Sequence, residues 1–157
     1  CILFHMTDLP FGRGGSPLQN LIKIGKKSTK ISAIRVINEL DAGPIYLKRN
    51  LSLKGSAKEI FKSSSKIIEE MIHEILLKKV LPYEQKGTPT YFKRRTPSQS
   101  NLIGLDNLEQ FYDHIRMLDC EGYPKAFLEF EKFKIEFEDA NFETKKNLKA
   151  NVRIFKK

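Results

Sequence analysis

The chain has 157 residues, 40% of them hydrophobic and 30% charged, with a net charge of +9 and a mean hydropathy of −0.40. That is enough apolar material for one ordinary domain, with or without a small appendage, and too much for a disordered chain. No apolar run approaches the roughly 20 residues that cross a bilayer, and no secretory leader pattern is present, so the expectation is a cytoplasmic protein without a membrane partner.

The sequence begins without Met in the apolar run Cys1-Ile2-Leu3-Phe4, which reads as a core strand entered from its middle. A fragment of a longer protein is therefore expected. This strand ends at His5. The following loop, 6–17, is rich in turn formers (Pro10, Gly12, Gly14, Gly15). Ser16 and Pro17 are the cap and first position expected of a short helix through Leu18, Leu21 and Ile22, ending near Gly25. Strands are predicted at 31–37 and 45–51, joined by Asn38-Glu39-Leu40-Asp41-Ala42-Gly43-Pro44. The longest helix is predicted from 57 to about 79. Ile60, Phe61, Ile67, Ile68, Met71, Ile72, Ile75 and Leu76 recur at helical spacing, so that face is assigned to the core.

Residues 81–100, with Pro82, Gly87, Pro89 and Pro97, read as an irregular connector. A short helix over 108–118 follows, then strands at 126–131, 133–137 and 152–155 with the alternation of a small antiparallel unit. The expected fold class is α/β: a partial doubly wound sheet with a small, mostly β C-terminal subdomain. The expected division is 1–90 and 91–157.

Charge is unevenly spread. Residues 1–100 carry 18 Lys/Arg against 8 Asp/Glu, and residues 101–157 carry 10 against 11. A basic first part suits anionic ligands, and a lysine-rich solvated surface explains it equally well. Cys1 and Cys120 fit neither a metal spacing nor a disulfide framework and read as reduced thiols.

Two residues stand where chemistry is done rather than packing. His5 closes a buried strand ahead of a glycine-rich loop, and ligands gather at such carboxyl ends in open α/β sheets. Asp41 sits in a turn directly before the next strand. Each alone is ordinary; an Asp-Ala-Gly turn needs no function. Together, His5, Thr7, Leu9, Pro10 and Gly14, followed 36 residues after His5 by Leu40, Asp41, Gly43 and Ile45, make a composite pattern. It resembles the folate-dependent formyltransferase family, which includes methionyl-tRNA formyltransferase and the sugar-nucleotide N-formyltransferases. Phe92-Lys93-Arg94-Arg95-Thr96-Pro97 and Tyr123-Pro124-Lys125-Ala126-Phe127 resemble the connector and C-terminal opening of the same group.

The resemblance implies a formyl transfer from 10-formyltetrahydrofolate to an acceptor amine, without a metal. His5 would shuttle the amine proton or, as imidazolium, stabilise the tetrahedral oxyanion, and Asp41 would orient it. Asn38, Glu39, Leu40 and Asp41 would line the pterin pocket. Thr7, Gly12, Arg13, Gly14 and Gln19 would face the acceptor, with Arg13, Arg94 and Arg95 as phosphate partners. One departure stands out: Leu3 occupies the position where the family usually has an oxyanion-donating Asn. Thr7, Gln19 and Asn20 are the nearby polar substitutes. Because residues 101–157 are short and slightly acidic, the expected acceptor is a nucleotide-linked amino sugar. Methionyl-tRNA is the alternative acceptor, and a non-catalytic remnant or binding module the second alternative. The oligomeric state is not legible in the sequence.

Overall fold

A computed structural model describes residues 1–157, which form two compact units. The first comprises residues 1–54 and 59–94, the second 55–58 and 95–157. In the first unit, β1 (Ile2–His5), β3 (Ser28–Arg35) and β4 (Ile45–Ser52) make a three-stranded sheet in the order β1-β3-β4. Both pairs are antiparallel, and His5 lies opposite Ser32. A second, two-stranded parallel sheet joins β2 (Arg13–Gly14) to β5 (Tyr91–Phe92). α1 (Pro17–Lys23) and all but the first two residues of α2 (Ala57–Lys78) belong to the same unit.

The mixed α/β character is as expected, while several bounds are not. β3 begins three residues earlier than predicted because pairing with β4 continues to Ser28 opposite Ser52. It ends before Val36 and Ile37, which are exposed. Pro17 does open α1, but Ser16 is left-handed and its side chain makes no capping bond. Gly25 ends α1 as predicted, in the left-handed region (φ +76°). The amides of Lys26 and Gly25 reach back to Leu21 and Ile22 there, which satisfies the last carbonyls. The connector contains β5, a strand of two residues too short to show periodicity.

Leu9, Ile34 and Ile45 form a fully buried cluster under the sheet. Each such side chain contributes about 1.5–3 kcal/mol of transfer free energy. On α2 the expected core stripe is only partly buried. Ile60, Met71 and Ile75 are inside, whereas Ile72 and Leu76 are exposed and line an apolar cleft of about 200 Å³ with Ile2, Phe4 and Ile75.

Asp8, in the loop after β1, pairs with Lys48 at 2.5 Å and Lys30 at 3.0 Å. Burial pushes its carboxyl up, but the two ammonium groups outweigh this and hold it below the ordinary value of 3.8. A depressed carboxyl stabilises the fold above its unfolded value and loses that contribution as pH falls. Asp8→Asn should therefore cost about 1 kcal/mol or less at pH 7, since solvent screens a half-exposed pair. Urea titrations of variant and parent should converge as the pH is taken below 3.8; a constant offset would exclude the pairing as the cause.

The second unit carries a 3-10 turn (Pro97–Ser100), α3 (Leu108–Arg116) and an antiparallel sheet of β6 (Ala126–Phe130), β7 (Phe133–Thr144) and β8 (Asn147–Lys156). Asn107 caps α3 by accepting from the Gln110 amide at 2.9 Å. The β7–β8 hairpin is longer than predicted, with register shifts after Glu138. Its continuation past residue 137 is mostly exposed and lacks an apolar alternation to read. Tyr112 of α3 packs on Phe142 of β7 at 5.2 Å between ring centroids. Burial pulls the Lys125 ammonium down, but Asp119 and Glu138 outweigh it and raise its pKa. Cys1 and Cys120 are both free thiols, and no helix is long and apolar enough to cross a membrane.

Candidate active site

His5 is the last residue of β1 and Asp41 sits in the turn between β3 and β4, so the β1–β3 pairing brings two distant segments together. Both residues are buried, at 7% and 8% exposure. His5 Nδ1 stands 3.6 Å from Asp41 Oδ2, close enough for ion pairing and too long for a direct hydrogen bond. His5 Nε2 lies 2.9 Å from the Gly12 carbonyl oxygen. A carbonyl only accepts, so Nε2 carries a proton in this arrangement and Nδ1 is the nitrogen turned to the carboxylate.

The other side of the site is the glycine loop. Turn residues 8–11, with a cis Leu9–Pro10 bond, close through the Phe11 amide on the Asp8 carbonyl at 3.1 Å. The loop then runs beside β5: the Gly12 amide donates to Thr90 Oγ1 at 2.8 Å, Arg13 to the Thr90 carbonyl and Gly15 to the Phe92 carbonyl. Gly14 has φ +104°, and a Cβ there would lie 2.3 Å from the Phe92 carbonyl oxygen. Its amide donates to Asp41 Oδ2 at 2.8 Å, a charge-assisted bond that aims the carboxylate.

The glycine of the second motif has an equally physical reason. A Cβ on Gly43 would stand 1.7 Å from the Arg35 carbonyl oxygen, where the Arg35 amide donates to the Pro44 carbonyl at 2.9 Å. Two backbones touch here, and no side chain fits between them. Gly43→Ala should cost more than about 2 kcal/mol and lower Tm by at least about 5 °C. Calorimetry showing an unchanged Tm would refute this close approach.

Not every expected ligand contact is open. Arg13 is turned inward, donating to Glu39 Oε1 at 2.8 Å and Gln85 Oε1 at 3.0 Å, while its Nε is buried without a partner. It is thus engaged within the site rather than extended toward a phosphate. Thr7 is fully buried and gives its hydroxyl to the Gly12 carbonyl at 3.3 Å. Asn20 donates to the Gly15 and Lys93 carbonyls, both at 3.0 Å. Neither is a ready substitute for the oxyanion donor that Leu3 lacks. Gln19 is buried on α1, and Arg94 is exposed. Arg95 belongs to the second unit and donates to the Gln99 carbonyl at 2.5 Å; burial pulls its pKa down. Asn38, Glu39 and Leu40 are exposed next to Asp41. Leu3 is 41% exposed on β1, on the same face as His5 by strand alternation.

Gln85, absent from the sequence reading, also reaches this site. Its Nε2 donates to the Asp41 and Gly43 carbonyls at 2.8 and 2.9 Å. It lies in the connector outside any strand or helix, where no periodicity or motif would have singled it out.

Residues 97–155 match the family described as methionyl-tRNA formyltransferase, C-terminal domain. A solved structure of methionyl-tRNA formyltransferase from Clostridium thermocellum is 52% identical, with a TM-score of 0.97, and the match covers 100% of this chain and 69% of that one. The chain belongs to the formyltransferase family that includes methionyl-tRNA formyltransferase. A curated family relative, methionyl-tRNA formyltransferase of Wolbachia sp. subsp. Drosophila simulans, is 28% identical over 149 residues, 91% of this chain and 48% of that protein. This chain thus spans about half the length of the curated formyltransferases it matches. WlaRD, a sugar 3N-formyl transferase solved in the presence of dTDP and 5-N-formyl-THF, is 17% identical with a TM-score of 0.56, covering 86% of this chain and 60% of that one. At that identity the likeness is one of fold.

Proposed function

We propose that this chain carries the reacting pair of an N-formyltransferase that moves a formyl group from 10-formyltetrahydrofolate to the amino group of methionyl-tRNA. The observation that carries the reading is the convergence of His5 Nδ1, Asp41 Oδ2 and the Gly14 amide on one buried point. The folate co-substrate supplies the activated formyl carbon. The chain's own groups handle the proton. His5 Nδ1 takes it from the attacking amine while the Gly12 carbonyl holds Nε2–H. The Asp41 carboxylate stabilises the imidazolium so formed. The same nitrogen returns the proton to the departing folate nitrogen as its bond to the formyl carbon breaks. The exposed 38–40 segment beside Asp41 is the place for the pterin, and Arg94 remains open to an anionic acceptor.

The acceptor differs from the amino-sugar nucleotide expected from the short, slightly acidic C-terminal part. That part matches a methionyl-tRNA formyltransferase domain as it stands, so its charge no longer argues against RNA. The identity to a methionyl-tRNA enzyme also far exceeds that to a sugar enzyme. A cytoplasmic enzyme follows from this acceptor. The test is to give the full-length protein 10-formyltetrahydrofolate with methionyl-tRNA or with a panel of amino-sugar nucleotides, and to follow tetrahydrofolate release. Turnover with methionyl-tRNA and steep loss of its binding with added salt are expected. Turnover with an amino sugar alone would return the acceptor to the earlier expectation. Folate binding without any turnover would point to a non-catalytic member of the fold, for which Leu3 would be the first residue to suspect.

A further inference from the structure

Gln85 has both amide hydrogens and its carbonyl oxygen engaged. Nε2 donates to the Asp41 and Gly43 carbonyls, and Oε1 accepts from Arg13 Nη2. The orientation is dictated by chemistry, since the two carbonyls only accept and the guanidinium only donates. Arg13 continues the link through Nη1 to Glu39. One side chain from the connector thus ties the Asp41 turn to the glycine loop, on whose Gly14 amide the carboxylate also rests. The connector is itself pinned nearby: Ile45 and Tyr83 exchange backbone bonds of 2.7 and 2.9 Å.

The turn has an uncommon backbone. Asp41 has φ +51°, in the left-handed region that aspartate enters more readily than most residues with a Cβ but still only in a minority of cases. Its carboxylate serves two partners, and the gap to His5 Nδ1 is already 3.6 Å. A shift of about 1 Å would remove it from reach, and displacements of that size cost reacting groups their effect.

We propose that Gln85 is a positioning residue for formyl transfer, acting through Arg13 and the Asp41 turn to hold the Asp41 carboxylate against His5. This rests on the reading of His5 and Asp41 as the reacting pair. A glutamate cannot replace it, because an oxygen would then face two carbonyl oxygens. A methionine keeps the length and loses all three bonds.

The test uses Gln85→Met and Gln85→Glu in the full-length protein, with hydrogen exchange resolved at single residues. In both variants the Gly14 amide, bonded to Asp41 Oδ2, should exchange at least about tenfold faster, the scale of a weakened charge-assisted bond. The Gly15 amide on the Phe92 carbonyl and the amides of β3 should keep their rates. With formyl-folate and methionyl-tRNA, kcat should fall by at least about tenfold while either KM changes less than about threefold. Unchanged Gly14 protection overturns the proposal, even where kcat falls. Uniform loss of protection across β3 in both variants also overturns it, by making Gln85 a general stabiliser. Selective deprotection of Gly14 in a protein whose parent transfers no formyl group would keep the positioning of Asp41 and discard the proposed function.

Discussion

His5→Ala is expected to lower kcat/KM for formyl transfer by roughly 10²–10⁴-fold, the usual worth of a positioned general acid–base group. The expectation follows from the two distinct surroundings of the ring nitrogens. Nε2 is tied to the Gly12 carbonyl and Nδ1 faces a carboxylate 3.6 Å away. No other titratable side chain is paired with Asp41 in this way, so nothing nearby inherits the proton transfer. His5 is buried, but alanine leaves the backbone bonds of β1 in place, and thermal stability should change modestly. Steady-state assays with saturating methionyl-tRNA, read beside a melting curve, separate the two effects. Turnover within a few-fold of the parent would place the reacting site elsewhere.

Asp41→Asn is the second large effect, and it isolates charge from shape. The asparagine oxygen can still accept from the Gly14 amide, which now gives 2.8 Å to Oδ2. What disappears is the negative charge facing the imidazolium that forms as the amine attacks. Such stabilisation is realised in the transition state and not in the ground state. The loss should therefore fall on kcat, by roughly 10²–10³-fold, with KM for the folate little changed. A rise in KM at constant kcat would instead make Asp41 a folate-binding residue only. The two substitutions also test each other. If both groups serve one proton transfer, the double variant should be hardly slower than His5→Ala alone.

How much of this was legible beforehand varies with the range of the interaction. α2, the α1 stop at Gly25 and the pairing of an apolar strand with a glycine loop were readable, because helical periodicity and left-handed glycines are local signals. His5 and Asp41 could be singled out as candidates because their motifs surround them. The glycines in those motifs have a cause the sequence does not state: Gly14 and Gly43 lie against the carbonyls of Phe92 and Arg35. The motif shows that glycine is present and the packing shows why.

What only the tertiary structure decided concerns direction and partners. Arg13 was expected as a phosphate partner from the resemblance; it points inward because Glu39 and Gln85, remote in sequence, supply its acceptors. Thr7 and Asn20 looked available as oxyanion donors until the carbonyls of Gly12, Gly15 and Lys93 claimed them. The outer part of the α2 stripe is apolar in sequence yet exposed in the fold. Periodicity reports which face is apolar, not what covers it. The sequence by itself thus pointed to the family and to His5 and Asp41 as the candidate pair, both carried by residue type and spacing, while the two-residue strands β2 and β5 appeared only in the fold. Whether the pair is held in reach depended on Gly14 and Gln85, which meet Asp41 only once the chain is folded, and no local pattern encodes a contact of that kind.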